Sequence, residues 1–180
     1  MIDGLLIEAA VSAGAAKAAV IDVSEVILSA SFRDICKSNQ CGSYGRNWSC
    51  PPETGDVEEL MEKIRSYPKA LLYQTIGQIE DSFDFEGMLE AGKLLTETSQ
   101  RLQSAAKGIL KNEFLHLSGS CRLCDKCAKL TGEKCRNPDR MLHSISGYGV
   151  DVYSTTLHTD LKYINGANTV TYFGLIMFSE

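Results

Sequence analysis

The sequence predicts an α/β fold: a single layered domain over residues 1–180, with about four strands, flanking helices and two cysteine-rich metal-binding loops. Three observations predict it. The chain has 180 residues, 44% hydrophobic and 23% charged, which is long enough for a real core and short enough for one domain. Apolar residues recur at helical spacing in some segments and form short strand-like runs in others, the pattern of a sheet covered by helices. Finally, the seven cysteines fall into two groups in turn-rich, polar stretches.

In chain order, Ile2, Leu5, Leu6 and Ala9 share one helical face that stops at Gly14. Ala18 to Val23, "AAVIDV", reads as a buried strand. The stretch Ser24 to Ile35, "SEVILSASFRDI", is compatible with a helix or with extended chain. Asp56 and Glu59 can form a capping box, and Val57, Leu60, Met61 and Ile64 share the face of a helix that must end before Pro68. Lys69 to Gly77, "KALLYQTIG", reads as a strand. Phe85, Met88, Leu89, Leu95, Leu102, Ala106 and Ile109 make an apolar stripe along one long helix, which tolerates Gly92 and Gly108 at some cost in stability. Glu113 to Gly119 is a third strand and Asn168 to Phe178 a fourth, while Ser146 to Asp151, "SGYGVD", reads as a turn between helices.

The third strand runs directly into "SCRLCDKCAKLTGEKCRNP", Ser120 to Pro138. Here Cys121, Cys124, Cys127 and Cys135 are spaced C-x2-C-x2-C-x7-C. Thiolates three apart in a loop can take successive corners of a cuboidal 4Fe-4S cluster, with a more distant cysteine closing the cage. Zinc is the competing metal, but structural zinc sites draw on two separate C-x2-C pairs, and three successive steps fit that pattern poorly. Arg122, Asp125, Lys126, Lys129, Glu133 and Lys134 lie among the thiols, so the segment is no core element.

The first group, Cys36, Cys41 and Cys50, is spaced C-x4-C-x8-C. Gly42 and Gly45 let the backbone turn closely, Pro51 and Pro52 fix the exit, and Trp48 and Tyr44 could shield a bound centre. Two cubane clusters ligated wholly by cysteine need about eight thiolates, and the chain has seven cysteines. The missing ligand would be a histidine (His116, His143 or His158), a carboxylate, water or substrate. His116 is the histidine nearest to the cysteines in sequence.

Charge and motif searches narrow the function classes. The formal net charge is -5, and no basic run is interleaved with aromatics, so nucleic acid is not an expected partner. Between Cys121 and Arg140, however, basic residues outnumber acidic ones, which would raise a cluster's potential and steer an acidic redox partner protein. There is no P-loop, no dinucleotide fingerprint, no nucleophile elbow and no cysteine triplet of the S-adenosylmethionine radical type. Without a basic leader or a long apolar run, the expectation is a cytoplasmic chain with no membrane contact, where an odd number of cysteines speaks against disulfides.

Together "NQCGSYGRNWSCPP" and "CRLCDKCAKLTGEKCRNPDRMLHSISGYGVDV" resemble an uncharacterised bacterial and archaeal family of cysteine-rich predicted metal-binding proteins, over nearly the whole chain. The resemblance implies metal or iron–sulfur binding through all seven cysteines, in anaerobes, and supplies no reaction. The leading expectation is therefore an iron–sulfur electron-transfer protein with one or two 4Fe-4S clusters. The alternatives are an enzyme with an open-site cluster for reductive or sulfur-transfer chemistry, and a zinc-stabilised interaction module.

Overall fold

Two long apolar strands organise the molecule. A computed structural model describes all 180 residues, Met1–Glu180. β5 (Thr169–Phe178) pairs antiparallel with β2 (Lys69–Gln78) along its whole length, Thr169 opposite Gln78 and Phe178 opposite Lys69. With β1 (Lys17–Asp22), β3 (Leu115–Ser118) and β4 (His143–Ser144) they make a sheet of order β1-β2-β5-β3-β4. The β3–β4 pair is parallel and the others are antiparallel. In β2 and in the second half of β5, consecutive residues are apolar, because the sheet is covered on both faces. Ala70 and Leu72 pack with Leu117, Leu175 and Met177 on one face. Leu71 and Tyr73 pack with Ile176 and Phe178 on the other.

Helices close both faces. α1 (Ile2–Ala13) and α4 (Phe85–Ile109) bury Leu6, Ala10, Leu95, Leu102 and Ala106 against the second face. α1 ends where expected, at Gly14, whose φ of 116° sends its N–H back to the last turn. α3 (Val57–Arg65) and the short 3₁₀ turn Ser146–Tyr148 cover the first face with Ile64, Ile145, Tyr148 and Val150. Asp56 caps α3 by accepting from the N–H groups of Glu58 at 2.9 Å and Glu59 at 3.2 Å. Glu59 returns no side-chain bond, so the expected capping box is half made.

Four details depart from or complete the sequence reading. The four expected strands are accompanied by a fifth, β4, whose two residues are too few to carry a period. The undecided stretch becomes a 3₁₀ turn at Val23–Glu25, an isolated bridge from Leu28 to Val150, and then a helix, α2 (Ser31–Lys37). Of the α4 stripe, Leu95, Leu102 and Ala106 are buried, Met88 and Ile109 are part-buried, and Phe85 and Leu89 stand exposed. In addition, "SGYGVD" connects β4 to the short helix α5 (Val152–Thr156), capped by Asp151, rather than joining two helices.

One mismatch of strand lengths positions everything that follows. β3 pairs with β5 only from Leu115 opposite Met177 to Leu117 opposite Leu175, and its chain leaves the sheet after Ser118. β5 continues on to Thr169 with β2 on one side and no strand on the other. The cysteine loops gather at this end.

Candidate metal centre

The loop that leaves β3 is fixed at its first thiol. The N–H of Cys121 donates to Ser49 Oγ at 3.0 Å, and the N–H of Ser144 donates to the Ser49 carbonyl at 2.9 Å. Ser49 is fully buried and donates in turn to Asn47 Oδ1 at 2.7 Å. Thus the residue before Cys50 anchors Cys121 and β4 together. Further along, the Trp48 indole N–H donates to the Glu133 carbonyl at 3.1 Å, and Lys129 lies over the Trp48 ring while pairing with Glu53. Gly92 of α4, whose absent side chain would meet the Arg122 guanidinium at 3.0 Å, leaves room for the residue beside Cys121. This close approach accounts for a glycine inside a long helix.

Cys121, Cys124, Cys127 and Cys135 all line one narrow recess, walled also by Trp48, Ala128, Asn137 and Met141 among others. Asn137 touches two of the four sulfurs: its backbone N–H donates to Cys135 Sγ at 3.4 Å and its side-chain amide to Cys124 Sγ at 3.3 Å. Burial raises the Cys121 thiol above its ordinary pKa, and Cys135, Cys124 and Cys127 push it further, partly offset by the N–H of Leu123. The thiols of this set therefore sit within electrostatic reach of one another.

Cys36, Cys41 and Cys50 line a second, wider recess, with Gln40, Ser43 and Tyr44 from the same loop, Ser120 after β3, Ser144 of β4 and Ser146 just after it. Cys36 lies in the last turn of α2, whose Arg33 holds the Gly55 carbonyl and the Gly147 carbonyl, each at 2.8 Å. Cys50 is buried and its sulfur is 3.5 Å from Ser120 Oγ, which donates to Ser43 Oγ at 3.0 Å. Burial, then Cys41 and Cys50, raise the Cys36 thiol, and Arg33 draws it back. All seven cysteines are free thiols, and no three His, Cys, Asp or Glu side chains converge closely enough to hold a single ion. An all-sulfur donor set with N–H groups aimed at two of the sulfurs suits a soft, thiophilic metal.

The histidines stand elsewhere. His116 is buried in β3, its Nε2 2.7 Å from the Tyr73 hydroxyl, so the nearest histidine in sequence belongs to the core and not to the cysteine loops. His143 faces a different cleft with Lys63 and Tyr67, and His158 Nδ1 is 4.0 Å from Glu25. No histidine, aspartate or glutamate lines the three-cysteine recess. Trp48 covers the four-cysteine recess rather than its own loop's, while Tyr44 stays with the first. Asn137, Ser49 and Ser120 were missed by sequence reasoning. Only the position of Asn137, two residues after the last cysteine, offered a signal.

A family model described as "Predicted metal-binding protein (DUF2284)" matches residues 19–178. No curated protein and no solved structure matches the chain. No helix is long and apolar enough to cross a membrane.

Proposed function

The chain belongs to this family of predicted metal-binding proteins, and from that premise we propose that it holds two iron–sulfur centres of the 4Fe-4S type and carries electrons. Cys121, Cys124, Cys127 and Cys135 would hold one, and Cys36, Cys41 and Cys50 the other. The observation that carries this reading is the sorting of the seven thiols into two neighbouring recesses, each lined by the cysteines of one motif. A zinc site would draw its thiolates onto one point about 2.3 Å away. Here four thiols in C-x2-C-x2-C-x7-C spacing line one recess, and three successive steps on one loop suit the corners of a cluster better than the two separate pairs of a zinc site.

Such a cluster supplies a one-electron couple when bound. The chain's own residues prepare for it. Trp48, Met141 and Ala128 wall the recess beside the sulfurs, and the amides of Asn137 offset negative charge on Cys124 and Cys135. Arg136 in the wall and the surrounding lysines of this loop suit an acidic redox partner at this side.

A second reading, an enzyme using an open position at the three-cysteine centre for reductive or sulfur-transfer chemistry, has its own observation. That recess is the larger one, and its wall offers no histidine or carboxylate as a further ligand.

The deciding measurement is iron, zinc and acid-labile sulfide content with a visible spectrum, on protein purified without oxygen. About eight irons per chain with matching sulfide are expected. Zinc without sulfide would replace this reading with a metal-stabilised interaction module. On loaded protein, Asn137→Ala is expected to lower the reduction potential of one centre by roughly 40 mV, the equivalent of one hydrogen bond of about 1 kcal/mol, with metal content unchanged. The sign follows because N–H donors favour the more negative, reduced state. A redox titration checks it, and a rise in potential would contradict the role given to the amide.

A further inference from the structure

The three-cysteine recess does not end at its thiols. Gly119, Ile145 and Ser146 belong both to its wall and to the wall of a broad, open cleft. That cleft exists because β3 stops at Ser118 while β5 runs on, so Val170, Thr171, Tyr172 and Phe173 line it from an edge without a partner strand. The rest of the wall includes Thr169 at the start of β5, Val152 of α5, Leu95 of α4, and Tyr163 and Ile164 of the preceding loop. Tyr163 stacks on Phe173 with ring centroids 5.7 Å apart and planes at 12°.

The chemistry of these walls is unlike that of the neighbouring recesses. The cleft has no charged lining residue, and the three-cysteine recess has none apart from the thiols given to the metal centre, whereas Arg122 and Arg136 line the two recesses on the four-cysteine side. The recess offers hydroxyls and an amide from Ser43, Ser120, Ser144, Ser146, Tyr44 and Gln40. The cleft offers flat aromatic and aliphatic surface, with Ile164 76% exposed and Tyr163 45% exposed at its rim. A wall without charge cannot compensate the desolvation of an ionic ligand, and apolar surface beside a few hydrogen-bonding groups is the usual composition of small-molecule sites.

We propose that the cleft and the three-cysteine recess form one binding site for an uncharged organic molecule, its flat or aliphatic body against Tyr163 and Phe173 and its hydrogen-bonding head among the serines. Binding itself does not require a metal. Only the consequence, a ligand head placed beside Cys36, Cys41 and Cys50, rests on the reading above.

The test uses the full chain, purified without oxygen, with iron and sulfide measured on every sample. 2-Naphthol, neutral at neutral pH with a single hydroxyl head, is titrated and followed by its fluorescence. Naphthalene-2-sulfonate, the same body with an anionic head, is the comparison. The expected result is saturable binding of one naphthol per chain, about tenfold tighter than the sulfonate and about tenfold weakened by Tyr163→Ala. Phe83→Ala, which removes an apolar side chain 79% exposed and outside the cleft, should leave it unchanged. If Tyr163→Ala fails to fold, Ile164→Ala takes its place, since so exposed a side chain adds little to the core. Equal affinity for both probes, no saturable binding, or affinity insensitive to both cleft variants would overturn the site. Iron present without naphthol binding removes this site and leaves the metal reading. Naphthol binding on protein without iron does the reverse.

Discussion

Cys124→Ser is expected to clear metal from the four-cysteine recess and leave that of the three-cysteine recess, so that total iron falls by about half. The substitution barely changes shape but exchanges a soft thiolate for a hydroxyl that stays protonated at neutral pH, and soft sulfur is what such a centre selects. It also breaks the bond from the Asn137 amide to Cys124 Sγ, loosening the residue that spans two of the four sulfurs. Cys41→Ser is the complement. Cys41 is exposed and lines only the other recess, so its loss should spare the four-cysteine centre. Iron, sulfide and spectra on both variants check the pair. Full iron in Cys124→Ser would sink the central assignment. Complete loss in both would mean that the centres form only together, through the contacts of Ser49 with Cys121 and of Ser120 with Cys50.

The long elements were legible in the sequence because each carries its own period or its own stop. The α1 stripe ends at Gly14, and β2 is apolar at consecutive positions because both its faces are covered. β4 was not legible, since His143 and Ser144 become a strand only by lying beside Leu117 and Ser118. The spacing C-x2-C-x2-C-x7-C keeps four cysteines on one loop, but whether the two motifs converge on one centre or stay apart was open in the sequence. What lines the space around them was not legible either. Ser49 meets Cys121, and Trp48 meets Glu133, through contacts between segments remote in sequence. Proximity along the chain misled in the case of His116. A strand advances about 3.3 Å per residue, so a few residues are enough to carry Cys121 past the end of the sheet while His116 stays inside it. Gly174, directly opposite Tyr73, has the Tyr73 ring across it, and the tyrosine hydroxyl meets both His116 and Ser99.

That buried group sets the second large effect, a loss of stability in mild acid. His116 Nε2 bonds the Tyr73 hydroxyl, the hydroxyl also bonds Ser99 Oγ, and Ser99 bonds Ser118 Oγ, while His116 Nδ1 has no partner. Nothing anionic faces the imidazole in this network, so burial alone lowers its pKa to about 3. In the unfolded chain the same ring titrates near 6.5. Between those values the unfolded state binds one proton more than the folded state, and stability therefore falls as pH drops below about 6.5, by roughly 1.4 kcal/mol per unit, levelling off near 3. The full contribution, present above the unfolded value, is on the order of 5 kcal/mol. His143, also lowered chiefly by burial, adds in the same direction. His116→Gln keeps a hydrogen-bonding side chain for Tyr73 without a titrating group. Urea unfolding of both proteins at about pH 7.5 and 5.5 should show wild type losing roughly 1.4 kcal/mol more than the variant. Parallel losses in the two proteins would mean that the imidazole is not held neutral in the core, and that acid acts on the fold through other groups.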